Sequence, residues 1–495
     1  MFSLKSCLPP AIFLLSMSNT PVPLQKKRLS IPGCFLFFLF SVCCLTEPAM
    51  AIEAHQKISG PFSTLAEVNR QCMNCHKKQA GDLYKSIHWT WQRQRIINGA
   101  TVLSDKSKDL SRFGIAAGNN PSVCRRCHLS AIPGTPPMAM SESATINCLI
   151  CHDTTGTYEP DVQLSTLVLI AQTAGRPSVH NCRTCHDREC GLTPETARPP
   201  IKDIHLQRYG FTCQKCHPGN DHHDFKRVVT VSMDQQKTQQ CSNCHGKKPH
   251  TLARLNQHAI LIGCQSCHIP EYGNNSPAVI SWNWLLDSST DTLHQRKNAL
   301  VYARGFTLAK NITPIYFWDN GSDELYTRGT RIVPEHATRL QGPGPRTPAS
   351  KIMPFTMHSG TQLYDIKYRY LLSPKLYRPQ APFFKGADLN AAVTEGMREL
   401  RLPYSGQYSV TATVAFRRLN HGVARANKAL GCLDCHGSAA RFNWRRLGYE
   451  QDPWTGGRKN LKNPPPVQKL PIIGLPPVQE SVLPVTPGRP MTPSQ

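Results

Sequence analysis

Apolar positions in this chain do not settle into long periodic runs. One continuous apolar run spans Cys34 to Leu45, and a second apolar stretch, Leu164 to Ala174, predicts a short helix. Between such stretches lie loop-forming clusters: residues 113–123 are rich in glycine, asparagine and proline, and residues 153–160 read DTTGTYEP. The segment 269–431 carries aromatic and proline turns, with Trp282, Asn283 and Trp284 together, and is expected to be helical or irregular. The pattern predicts a fold that is mainly α and irregular, with short helices, long connections and little sheet.

Both ends read as something other than core. Lys26, Lys27 and Arg28 precede the apolar run, and Ala49-Met50-Ala51 follows it, so residues 1–51 are expected to be an export signal cleaved after Ala51. The run is too short for a comfortable membrane span, and no stable span is expected once it is removed. The tail, residues 457–495, holds ten prolines from position 464 onward and is expected to be disordered. That leaves one domain over residues 52–456.

Cysteine changes the picture. The pattern Cys-x-x-Cys-His occurs eight times, at Cys72, Cys75 and His76; Cys124, Cys127 and His128; Cys148, Cys151 and His152; and Cys182, Cys185 and His186. It recurs at Cys213, Cys216 and His217; Cys241, Cys244 and His245; Cys264, Cys267 and His268; and Cys432, Cys435 and His436. In a helical turn the two cysteines and the histidine reach one face, so the thiols can add to two haem vinyl groups while the imidazole binds iron. A single copy also fits half of a zinc site, but eight copies, each with its adjoining histidine, point to eight covalently attached c-type haems. Cys7, Cys34, Cys43 and Cys44 fall in the expected leader, so Cys190 alone remains outside a motif.

The first seven motifs start 52, 24, 34, 31, 28 and 23 residues apart, too close for separate cores. The macrocycles are therefore expected to form much of the apolar interior. Low-spin haems commonly take a second histidine. Twenty histidines are available, and those outside the motifs are His55, His88, His180, His205, His222, His223, His250, His258, His294, His336, His358 and His421. Of these, His55, His88, His205, His222, His250, His258 and His421 are the candidate distal ligands. His88 sits in an aromatic cluster, Ile87-His88-Trp89-Thr90-Trp91, whose rings are suited to haem edges or to ordinary core packing.

A formal charge of +25 would ordinarily suggest nucleic acid or a membrane surface. Each haem brings two propionates that offset this excess and pair with arginine and lysine. No nucleic-acid motif accompanies the charge, so no nucleic-acid partner is expected. The remaining surplus favours a small anionic substrate.

The segments around the motifs resemble the octahaem tetrathionate reductase family of multihaem cytochromes c. The resemblance runs from about His55 to Pro453: Gly60-Pro61-Phe62, IHWTW from Ile87, CLICHDTTGTY from Cys148, Asp203-Ile204-His205, FTCQKCH from Phe211 and CQSCHIP from Cys264. It continues in AKNITP from Ala309, KIMPF from Lys351, LPYSG from Leu402, LNHGV from Leu419 and LGYEQDP from Leu447. The resemblance implies a periplasmic reductase with seven bis-histidine haems and a reaction centre on the second motif, where His128 is the proximal ligand. Tetrathionate, nitrite and hydroxylamine are the family's substrates, and a redox partner cytochrome or quinol dehydrogenase is the expected electron donor.

Two departures fall at that centre. The family carries a distal lysine after the fourth motif, in the order Asp-x-x-Lys, where this chain reads Asp187-Arg188-Glu189-Cys190. The family's Phe-Cys-Ile-Ala before the second motif is here Phe113-Gly114-Ile115-Ala116. His128, Asp187 and Cys190 are therefore the candidate catalytic residues, with Cys190 as distal ligand, as a thiol beside an open iron, or as an inert small residue. Arg125 or Arg126 is placed to steer an anion or to pair with a propionate. Two further functions stay open: an electron-transfer module with every iron six-coordinate, and hydroxylamine oxidation, for which no pattern marks a cross-linked tyrosine.

Overall fold

The computed structural model describes residues 55–90, 93–97, 100–104, 109–120, 146–158, 164–186, 202–219, 222, 227–228, 238–274, 277–285, 294–296, 299–301, 305–376 and 388–456. The expected leader and proline-rich tail lie outside the described residues, as do the whole second motif, Asp187 and Cys190.

The helices are short, and their ends are set locally. Thr64 caps Leu65–Cys75 by accepting from the Glu67 amide, and the Glu67 carboxylate accepts from the Ser63 amide. Asp203 and Asp388 cap Ile204–Gln207 and Leu389–Glu399 in the same way. Each of the seven described motifs occupies about one helical turn; Leu149–His152, Cys213–Cys216 and Cys264–His268 are examples. The apolar stretch at Leu164 to Ala174 is a 3-10 turn, Leu164–Thr166, running into the helix Leu167–Gln172, which buries Leu167, Ile170 and Ala171.

Thirteen strands are described: β1 (Arg93–Ile97), β2 (Ala100–Ser104), β3 (Arg227–Val228), β4 (Thr238–Gln239), β5 (Ala278–Asn283), β6 (His294–Arg296), β7 (Ala299–Val301), β8 (Phe306–Ala309), β9 (Ile315–Asp319), β10 (Asp323–Leu325), β11 (Thr338–Pro343), β12 (Lys351–Asp365) and β13 (Tyr408–Arg418). Eleven of them form one mixed sheet in the order β2-β1-β10-β11-β13-β12-β5-β8-β7-β6, with β9 also on β12. The antiparallel β12–β13 ladder is its spine, in register from Phe355 opposite Arg418 to Asp365 opposite Tyr408.

The segment between the seventh and eighth motifs, expected to be helical or irregular in a fold with little sheet, is instead largely strand. The physical reason is visible in β13, Tyr-Ser-Val-Thr-Ala-Thr-Val-Ala-Phe, which is rich in β-branched residues (Val410, Thr411, Thr413 and Val414) and whose burial alternates from Val410 to Ala415. One set of side chains, with Phe113, Trp282, Phe306, Leu308 and Leu363, forms the largest cluster; Phe317, Met353, Phe355 and Phe416 form another. Arg418, at the end of β13, is locked between two buried carboxylates: Nε and Nη2 donate to Asp319 at 2.6 and 2.7 Å, and Nη1 donates to Asp323 at 2.6 Å.

The sheet also holds the approach to the second motif. Phe113, Ile115, Ala116, Asn119 and Asn120 are buried. Asn119 donates to the Ser373 carbonyl at 2.7 Å, and Asn120 accepts from the Leu376 amide at 2.7 Å. Gly114 has a left-handed φ of +70°, and a side chain there would collide with Gln362 Oε1. Gln362 fills that space, accepting from the Trp284 indole at 2.9 Å and donating to the Arg112 carbonyl at 3.0 Å. The glycine that departs from the family's cysteine is thus matched by its neighbour. Residues 113–120, read as a loop, are one, but a buried one.

A candidate haem array

Every described motif histidine faces a second histidine ring. The centroid separations are 6.1 Å for His76 and His55, 5.7 Å for His152 and His222, 6.2 Å for His186 and His88, and 6.1 Å for His217 and His421. They are 6.1 Å for His245 and His205, 6.1 Å for His268 and His250, and 6.3 Å for His436 and His258. A metal–imidazole bond of about 2 Å on each side of one ion puts two ring centres roughly 6 Å apart. The seven partners are the seven histidines singled out as candidate distal ligands; His128 lies outside the described residues.

The chain holds these rings with deliberate local devices. His222 has φ +73°, a left-handed conformation that non-glycine residues rarely adopt, and its Nε2 lies 3.5 Å from that of His152. His152 Nδ1 lies 2.7 Å from the Gly175 carbonyl, and His55 Nδ1 lies 3.1 Å from the Ala174 carbonyl. One short backbone turn therefore orients ligands of two neighbouring sites. Asp153, beside His152, ties the following loop down by accepting from the amides of Thr155 and Tyr158 at 2.8 and 3.0 Å. Burial, aided by the facing His186, pushes His88 down to about 4, and burial likewise lowers His152 and His268.

The thiols give the order of the sites. Cys72 neighbours Cys148, Cys182 neighbours Cys213, and Cys241 neighbours Cys264. Cys151 acts electrostatically on Cys182, Cys244 on Cys216, and Cys267 on Cys435. Motifs one, three, four, five, six, seven and eight thus follow one another in space as a single line of neighbours. Among the described motifs, sequence order is kept.

The fit to haem rests on the core. Among the described residues from Gln172 to His268, which carry four motifs, no apolar side chain is buried. Such a stretch cannot hold a fixed conformation on its own apolar contacts. Flat apolar haems bonded to the paired cysteines would fill this deficit, and the paired imidazoles are the residues that would hold their iron. The part of the chain around the sheet, by contrast, has an ordinary side-chain core.

Sequence reading missed what orients the ligands. Asp203 and Asp452 each accept a hydrogen bond from a ligand histidine, and each stands in a segment noted for resemblance without a role. The signal for Asp203 was present in its position two residues before His205, at the start of a helical turn. Asp452 is brought to His436 by a fold-back of sixteen residues that no spacing rule marks.

Comparison with known proteins agrees with this geometry. Residues 280–439 match the family "Cytochrome c bacterial", and residues 201–269 match "Cytochrome c7 and related cytochrome c". No curated protein matches the chain. The structure resembles that of octaheme cytochrome c from Shewanella oneidensis, with a TM-score of 0.72 and 32% identity over 84% of this chain and 99% of that one. The protein is a multihaem cytochrome c with covalently bound haem, and it belongs to the octahaem cytochrome c family of the tetrathionate reductase-like group.

Proposed function

We propose that the protein is an exported, periplasmic octahaem reductase. Electrons pass along seven bis-histidine positions to the second motif, where a small sulfur or nitrogen oxo-compound such as tetrathionate, nitrite or hydroxylamine is reduced. The observation that supports this reading is the set of seven facing histidine pairs, which would give each described motif's haem two histidine ligands. The family resemblance puts the substrate at the second motif.

When bound, haem supplies an iron that takes up and passes on single electrons and, where an axial position is open, acts as a Lewis acid. The chain does the rest. The paired histidines would hold the haem iron along the relay and would exclude substrate there. His128 is assigned as the proximal ligand of the reaction centre. Cys190, at the place of the family's lysine, is assigned to its distal side, with Asp187 three residues before it as in the family order. Arg125 and Arg126 add positive charge next to the same motif. A cytochrome or a quinol dehydrogenase is the electron donor.

The substitution of the family's lysine favours one other reading, a relay without catalysis. Addition of cyanide, nitrite and hydroxylamine to the oxidised protein separates the two. A reductase shows a spectral change at one haem and turnover of tetrathionate, nitrite or hydroxylamine with a reduced dye as donor. A spectrum unmoved by all three ligands, with no turnover, leaves the relay alone.

A further inference from the structure

We propose that Asp203 and Asp452 make the haem positions of the sixth and eighth motifs the low-potential members of the array. The inference rests on the haem reading above but concerns carboxylates that the reading leaves without a role.

Asp203 Oδ1 lies 2.9 Å from Nδ1 of His205, whose ring faces His245 of the sixth motif. Asp452 Oδ1 lies 2.6 Å from Nδ1 of His436, the eighth motif's own histidine. In both cases Nδ1 carries the proton, which leaves the Nε2 lone pair for iron. A carboxylate acceptor draws that proton toward itself and gives the imidazole anionic character. A more basic ligand stabilises iron(III) over iron(II), so the one-electron reduction becomes less favourable while the proton stays on Nδ1.

Neither carboxylate is free to turn away. Asp203 Oδ1 also accepts from the His205 amide at 2.9 Å, and its Oδ2 accepts from the amides of Gly422 and Val423 at 3.2 and 2.9 Å. Asp452 Oδ2 accepts from the Gly437 amide at 2.7 Å, and its Oδ1 accepts from the Trp454 amide at 2.9 Å. Their side chains are only 10% and 16% exposed, so solvent screens little of their charge.

The first, third and seventh sites differ in kind. His55 and His152 meet neutral backbone carbonyls, and His250 Nδ1, opposite the seventh motif's His268, is buried with no hydrogen-bond partner. Along the consecutive sixth, seventh and eighth positions the structure therefore sets carboxylate, no acceptor on His250, and carboxylate. The corresponding potentials run low, higher, low.

The test is a spectroelectrochemical titration of the fully loaded protein, with haem counted by intact mass. In Asp452→Asn the amide oxygen can still accept from Nδ1 without the charge. The lowest-potential component should move upward, by about tenfold in its reduction equilibrium, or about 59 mV for a one-electron couple. Asp203→Asn should move a second low component upward, and Asp452→Glu should restore wild-type behaviour. Curves for both Asn variants that superimpose on wild type at eight haems, or a shift confined to the highest component, would overturn the proposal. If Asp452→Asn loses haem, Asp203→Asn decides by the same two outcomes. A wild-type mass with fewer than eight haems counts against the haem assignment instead.

Discussion

The rings of His217 and His421 face each other at 6.1 Å, although nine of the sheet's eleven strands lie between them in sequence. His421 is placed by its neighbours: the Gly422 and Val423 amides bind Asp203, and the Ala424 amide donates to the His268 carbonyl at 2.8 Å. Replacing His421 with alanine should open one axial position on the fifth motif's haem while leaving the haem count unchanged. Electron paramagnetic resonance should show a new high-spin signal that cyanide abolishes. An unaltered low-spin spectrum would exclude His421 as a ligand.

Gly114 and Gln362 form a matched pair. Gly114→Cys, which restores the residue of the resembled family, introduces a side chain at φ +70° and drives it into Gln362 Oε1. The left-handed backbone alone costs about 1–2 kcal/mol. The single variant should lower the melting temperature, and Gly114→Cys with Gln362→Ala should recover part of the loss. A double variant no better than the sum of its parts would show that the two residues do not compete for space.

Removing Arg418 leaves Asp319 and Asp323 buried without their counter-charge. Arg418→Ala should destabilise the protein by about 3–5 kcal/mol. The expected signature in thermal denaturation is early loss of the strand signal while the haem bands persist. A melting temperature equal to wild type would mean that the ion cluster contributes nothing net.

Gly396 brings its helix against Asn119 and the segment Ser373–Lys375. A side chain there would meet the Ser373 carbonyl, with Asn119 Nδ2 at 2.7 Å and the Lys375 amide at 2.8 Å. Gly396→Ala should push the helix away, disturb the Asn119–Ser373 hydrogen bond and lower stability by about 1–3 kcal/mol. If the second haem is the reaction centre, its ligand-induced spectral change should alter while the bis-histidine signals stay fixed.

Cys190→Ala tests the departure from the family directly. A thiolate ligand or a reactive thiol predicts a changed haem spectrum or a loss of turnover. No change in either would assign Cys190 to packing.

Composition and motif spacing alone pointed to the cofactor, its attachment points and a pool of twelve histidines outside the motifs, because thioether chemistry demands fixed residue types at fixed short spacing. The sheet between the seventh and eighth motifs was written in the alternation of β13 but was overlooked, since a haem-rich chain was expected to lack a side-chain core of its own. Only the tertiary structure decided which histidine faces which, as in His55 with His76 and His258 with His436, and which carboxylates reach a ligand. Those pairings join residues from separate elements, and their choice depends on how the whole chain closes around its apolar groups, a quantity no local spacing encodes.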